Sequence, residues 1–215
     1  MAPAIHLAFR PAIAAAAVAV IAVGAAAPTA HAAEPLPRLH ADRDTVTVSG
    51  LSSGAYMAVQ FQIAYSHLVR GVGVIAGGPY DCARGSLSRA LKNCMTAPVD
   101  APPPTVAEQQ ARVAEAARAG EIDDPANLAG HRAWLFSGAN DKRVVAAVVD
   151  ALNGYYATVL PAGAVHNVRH PQAGHAMVSA TDPNANACPT SDPPFINRCA
   201  GTDVPGALLA HLLGP

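Results

Sequence analysis

The pentapeptide Gly50-Leu51-Ser52-Ser53-Gly54 constrains this chain more than any other segment. Upstream, Thr45-Val46-Thr47-Val48 is a β-branched run bounded by Asp42-Arg43-Asp44 and by Gly50, which predicts a short strand. Downstream, Tyr56, Met57, Val59, Phe61, Ile63, Ala64 and Leu68 form a largely apolar stretch at helical spacing. A G-x-S-x-G between strand and helix makes a tight turn that lifts one hydroxyl above the end of a sheet. Glycines on both sides of that serine are expected, because a Cβ there would strike the neighbouring strand or helix. Ser52 has glycine two residues away on each side, whereas Ser53 would have Leu51 and Ala55. Ser52 is therefore the candidate nucleophile.

The elements that follow alternate. Residues 71–76 and 133–136 read as buried strands, residues 164–168 as a further strand, and residues 105–119 and 144–160 as helices, with a shorter helical stretch over 86–91 leading to Cys94. Thr105 and Glu108 are spaced as a capping box. Strands alternating with helices predict an α/β fold with a parallel sheet. In such sheets catalytic groups gather at the carboxyl ends of the strands. Ser52, Asp141 and His175 fall at three such ends, in the Ser…Asp…His chain order of the α/β-hydrolases.

The chemistry needs these three types together. A serine hydroxyl is a weak nucleophile until an imidazole takes its proton, and the imidazole needs a carboxylate to fix its tautomer. Asp141 follows the strand 133–136 through a Gly-Ala-Asn turn, where it could also cap the helix that begins near Val144. Asp150 lies within a helical pattern, and Asp123, Asp124 and Asp182 neighbour prolines in loops, so they are weaker candidates. His175 follows Gly174 in a loop beyond the strand 164–168, while His166 and His170 lie nearer that strand. A metal site built from these histidines is not expected: their spacing does not follow one helical face, and no acidic ligand accompanies them.

The N-terminus reads as a targeting segment. Arg10 supplies a positive start, residues 13–27 are uncharged and apolar, and Ala30-His31-Ala32 fits a cleavage site. Residues 1–32 are thus expected to be a secretory signal peptide, leaving 33–215 as one catalytic domain, periplasmic or extracellular. The formal net charge is only −1 and aromatics make up 5%, which argues against nucleic acid or anionic membrane as a partner. Four cysteines in an exported chain suggest disulfides. The spacing favours local pairs, Cys82 with Cys94 and Cys188 with Cys199, over the other two connectivities. No C-x-x-C spacing suggests zinc.

Several separated segments carry a family resemblance. The run from Gly50 to Phe61, Ala76-Gly77-Gly78-Pro79-Tyr80 with Cys82, Phe136-Ser137-Gly138 before Asn140-Asp141, and Gly174-His175-Ala176 are among them. With the tail from Cys188 through Pro193-Pro194-Phe195-Ile196-Asn197 to Cys199, they resemble poly(3-hydroxybutyrate) depolymerases whose lipase box lies near the mature N-terminus. The resemblance implies a Ser52–His175–Asp141 triad, an acyl-enzyme, the Ser53 backbone N–H as an oxyanion donor, and no cofactor. It implies a polyester or oligoester of short 3-hydroxy acids as substrate. A monomer is expected, with no membrane partner once the signal is cleaved. The resemblance further implies an α/β-hydrolase-like sheet in circularly permuted order, with the remaining strands after the histidine. Only 40 residues follow His175, so the C-terminal strands of that sheet are expected to be missing. The same elbow and triad also fit a secreted esterase for acetyl or feruloyl esters, or a non-catalytic remnant of the fold.

Overall fold

In the computed structural model of the chain, residues 37 and 41–214 are described; the expected signal peptide, residues 1–32, lies outside them. Four strands, β1 (Thr47–Leu51), β2 (Gly71–Ile75), β3 (Arg132–Gly138) and β4 (Val165–His170), form one sheet in the order β1-β2-β3-β4. All three pairings are parallel, with Leu51 opposite Ile75, Ile75 opposite Phe136, and Phe136 opposite Val168. The carboxyl ends of all four strands therefore lie along one rim. Helices α1 (Ser53–Ala64), α2 (Leu87–Leu91), α3 (Val106–Arg118), α4 (Ala146–Val159) and α5 (Val204–Leu213) complete the main framework.

Side chains alternate across a strand, so one apolar run can serve two faces. Val72 and Val74 of β2 with Ala133 and Leu135 of β3 point to one face, against Val59 and Ile63 of α1 and Val149, Leu152 and Tyr156 of α4. Ile75, Trp134 and Phe136 point to the other, where Val204, Leu208 and Leu212 of α5 cover them. A side chain at Gly73 would collide with Leu208, so the glycine lets α5 lie directly on the sheet. Burying a leucine such as Leu208 in this way contributes about 1.5–3 kcal/mol.

Several local expectations hold. Thr105 and Glu108 form a reciprocal capping box at the start of α3, with Thr105 N–H donating to Glu108 Oε2 at 2.7 Å and Glu108 N–H to Thr105 Oγ1 at 3.3 Å. Both local disulfides form, Cys82–Cys94 and Cys188–Cys199.

Others need correction. The first strand is 47–51 rather than 45–48: Asp42 accepts from Asp44 N–H and turns Arg43–Thr45 into a short 3-10 segment, while the ladder to β2 carries on through Gly50. Helix α1 ends at Ala64, not at Leu68, because the chain turns there with Leu68 N–H donating to Tyr65 O. Beyond β4 the chain forms a small parallel sheet, β5 (Met177–Val178), β7 (Ile196–Arg198) and β6 (Asn186–Ala187) in that spatial order. The sequence patterns predict neither this sheet nor α5.

Candidate active site

Ser52 sits where β1 hands over to α1. Its backbone adopts φ 57°, ψ −122°, a conformation costing a side-chain-bearing residue about 1–3 kcal/mol. The turn is held on both sides: Ser52 N–H donates to Ile75 O at 2.9 Å, and Tyr56 N–H donates to Ser52 O at 3.0 Å. Gly50 is required by contact, since a Cβ there would drive into the backbone of Gly54 and Ala55. Gly54 is not: a Cβ there meets nothing within 4 Å, because this first-turn position faces outward. Of the two flanking glycines, only the strand-side one answers a steric need.

Asp141 and His175 are brought together. Asp141 lies three residues beyond β3 and His175 five beyond β4, both on the rim that carries Ser52. His175 Nδ1 donates to Asp141 Oδ2 at 2.7 Å, with the residues only 4% and 3% exposed respectively. The other carboxylate oxygen, Oδ1, accepts from Arg143 N–H at 2.8 Å and from Val144 N–H at 2.9 Å. Asp141 therefore caps the turn into α4 and orients the imidazole at once, one oxygen for each task. With Nδ1–H held by the carboxylate, the imidazole keeps Nε2 as its free acceptor, the tautomer a general base needs.

A cavity of about 460 Å³ opens beside Ser52, within the usual size range for small-molecule sites. Tyr56, Met57, Ala83, Met95 and Val144 make its wall mostly apolar, together with the Cys82–Cys94 disulfide. Tyr56 donates its hydroxyl to Cys94 O, and burial together with the nearby Asp141 charge pushes its phenol pKa well above the ordinary tyrosine value. It is thus a neutral wall rather than an acid–base group. Val144 links the two halves: it is among the residues lining the cavity, and its N–H binds Asp141. Ser53, as the first residue of α1, has a backbone N–H with no acceptor inside the helix, and it too borders the cavity. Among the described residues the Ser52 hydroxyl makes no hydrogen bond of its own. Asp141 and His175 are joined; Ser52 shares their rim without being bonded to them. In the absence of substrate such catalytic bonds are often long and tighten only in the complex.

The remaining histidines divide by surroundings. His170 ends β4, and its Nδ1 accepts from Gln172 N–H at 3.1 Å and Ala173 N–H at 3.0 Å, tying the turn toward His175. It also lies near Cys188 and Cys199, but those sulfurs are bonded to each other and are not thiolate ligands. His166 lies beside His211, with ring centroids 5.7 Å apart and the planes tilted by 34°.

No protein-family profile matches the chain. The poly(3-hydroxybutyrate) depolymerase of Delftia acidovorans, however, is 44% identical over 206 residues, covering 95% of this chain and 40% of the relative. This chain is homologous to the poly(3-hydroxybutyrate) depolymerases. The polyhydroxybutyrate depolymerase of Talaromyces funiculosus is 33% identical over 198 residues, covering 90% of this chain and 54% of the relative. Among solved structures, a PHB depolymerase complexed with an R3HB trimer aligns at TM-score 0.71 and 30% identity, over 81% of this chain and 52% of that one. PHB depolymerase from Penicillium funiculosum aligns at TM-score 0.70 and 31% identity, with the same coverage. The chain thus spans about half the length of the depolymerases it matches. Its parallel sheet flanked by helices is of the α/β-hydrolase type, and among the described residues its first strand is the one before Ser52.

In this depolymerase homologue the surroundings of His175 were not legible from sequence. Ser191 Oγ accepts from His175 N–H at 2.9 Å, and Phe195 meets the imidazole edge-on at 6.4 Å between ring centroids. Both belong to the loop closed by Cys188–Cys199, and that enclosure is the one sequence signal pointing to them. The loop bearing His175 is consequently held in place rather than free at the edge of the fold.

Proposed function

We propose that this chain is an exported serine esterase that hydrolyses ester bonds of poly(3-hydroxybutyrate) or its oligomers. The observation that carries the reading is the buried Asp141–His175 pair on the same strand-end rim as the strained Ser52, beside an apolar cavity. The names of the relatives and the R3HB trimer held by one neighbour supply the substrate class. Two disulfides suit an oxidising compartment, and no helix among the described residues is long and apolar enough to cross a membrane. Residues 1–32 serve as the signal peptide and 33–215 carry the catalytic fold, acting as a monomer.

The mechanism is acyl transfer. Ser52 Oγ bonds to the ester carbonyl carbon as its proton passes to His175 Nε2, and Asp141 stabilises the imidazolium. The Ser53 N–H donates to the oxyanion of the tetrahedral intermediate. The carbon–oxygen bond to the leaving hydroxy acid then breaks, its alkoxide taking the proton from His175. Water, deprotonated by the same imidazole, attacks the acyl-enzyme and releases the second product with Ser52 restored. The steps use side chains and one backbone N–H of this chain together with water, and no cofactor.

The test is hydrolysis of hydroxybutyrate dimers and trimers by the purified protein, against acetyl and feruloyl esters and with Ser52→Ala as control. The reading expects release of 3-hydroxybutyrate by the parent only. Preference for acetyl or feruloyl esters would move the chain to another esterase class, and release by the Ser52→Ala variant would remove the serine from the mechanism.

A further inference from the structure

A closed ring of contacts surrounds the acid–base pair. It begins at Asp141 Oδ1, which accepts from Arg143 N–H at 2.8 Å. The Arg143 side chain then leaves the turn: Nη2 donates to Ser191 O at 3.1 Å, and the guanidinium carbon stands 5.5 Å above the Phe195 ring. Ser191 Oγ in turn accepts from His175 N–H at 2.9 Å, and His175 closes the ring on Asp141 Oδ2 at 2.7 Å. Phe195 lies between the two halves, touched by the guanidinium and, edge-on, by the His175 ring.

The far side of the ring is stiff. The loop 188–199 is closed by the Cys188–Cys199 disulfide. Inside it, fully buried Asn197 donates through Nδ2 to Cys188 O at 2.8 Å and to Thr190 O at 2.7 Å. Gly174, immediately before the histidine, donates its N–H to Cys188 O at 2.9 Å, and a Cβ on it would run into Pro189 and Thr190. The near side is the cap made by Asp141. Asn140 also ties the acid's turn to the histidine loop, its N–H donating to Ala173 O at 3.0 Å and its Nδ2 to Gln172 O at 2.9 Å. The Arg143 side chain is the direct link from that turn to Ser191 and Phe195.

We propose that Arg143 is a positioning residue for the acid–base pair, clamping the Cys188–Cys199 loop so that the imidazole is held in place on Asp141. This rests on the reading of His175 as the general base. An exposed arginine contributes little through charge alone. Here its head is used for shape: one nitrogen donates to a carbonyl while the guanidinium carbon sits over an aromatic ring, a pairing that a lysine's point charge does not reproduce. Displacing a catalytic group by about 1 Å can lower a rate by as much as 10²-fold.

The experiment uses Arg143→Ala, Arg143→Lys, Ser191→Ala and the double variant in the full chain. Arg143→Ala should lower kcat by about 10- to 100-fold with KM within about twofold, and added guanidinium ion should restore part of it. The double variant should fall no further than the worse single one, because both break the same ring. A second readout does not depend on turnover: the downfield proton resonance of His175 Nδ1–H should broaden in Arg143→Ala and persist in Ser52→Ala. Unchanged kcat with an unchanged resonance would overturn the proposal. So would a drop in thermal stability with kcat per folded molecule preserved, which would make Arg143 merely structural. If Ser52→Ala kept activity, the nucleophile would be wrong, and the resonance in Arg143→Ala would still decide the clamp.

Discussion

His131 and His175 look alike in the sequence and differ in every respect that matters chemically. Each follows a glycine, Gly130 and Gly174, and each is buried, at 0% and 4% exposure. His131 precedes β3 at the amino end of the sheet, and neither ring nitrogen finds a partner among the described residues. His175 follows β4 at the carboxyl end, with its ring on Asp141 and its backbone on Ser191. Burial alone therefore does not set a histidine's surroundings. What distinguishes His175 is the partner carboxylate and the end of the sheet, where the open turns between strand and helix collect.

The largest effect that would sharpen this contrast is on turnover. His175→Ala should lower kcat by about 10⁴-fold or more. His131→Leu should leave activity per folded molecule unchanged, since an apolar side chain replaces a polar one that has nothing to bind. Steady-state kinetics on hydroxybutyrate oligomers checks both, and equal losses would break the comparison.

The second effect separates the two oxygens of Asp141. Asp141→Asn can still accept from Arg143 and Val144 N–H, yet it offers His175 the wrong partner, so kcat should fall by about 10⁴-fold at nearly unchanged stability. Asp141→Ala should lose the cap as well, costing about 0.5–2 kcal/mol in denaturant unfolding. If Asp141→Asn proved as destabilised as the alanine variant, the division of labour would be wrong.

The smallest effect is on acid stability. Burial and the nearby Arg70 charge hold the His131 imidazole below its ordinary pKa. As pH falls, the unfolded chain takes up this proton before the folded one does. The associated stability is complete above the ordinary histidine value of roughly 6.5 and is lost progressively below it. Melting temperature should thus drop more steeply in the parent than in His131→Leu between about pH 7 and about pH 5. Parallel curves would show that His131 does not carry the effect.

The contrast also explains what the sequence could and could not reveal. That Ser52, Asp141 and His175 share one rim of the sheet was legible because chain order and strand-end position restrict them, and both disulfides because their loops are short. Helix α5 was masked: Pro205-Gly206 reads as a turn, although proline in the first turn suits a helix start, and Leu208 and Leu212 one turn apart supply its buried face. The small sheet of two- and three-residue strands is too short to show any period. Arg143 and Ser191 meet across 48 residues through a main-chain carbonyl, which no residue pattern encodes. The strand at 45–48 was displaced because β propensity at Thr45 yielded to a local turn held by Asp42.

Covalent labelling of Ser52 tests the central claim most directly. Treating the protein with a fluorophosphonate and mapping the modified peptide by mass spectrometry should find one adduct, on Ser52, formed rapidly in the parent and about 10³-fold or more slowly in His175→Ala. An unlabelled Ser52, or one labelled equally fast without the imidazole, would contradict the account.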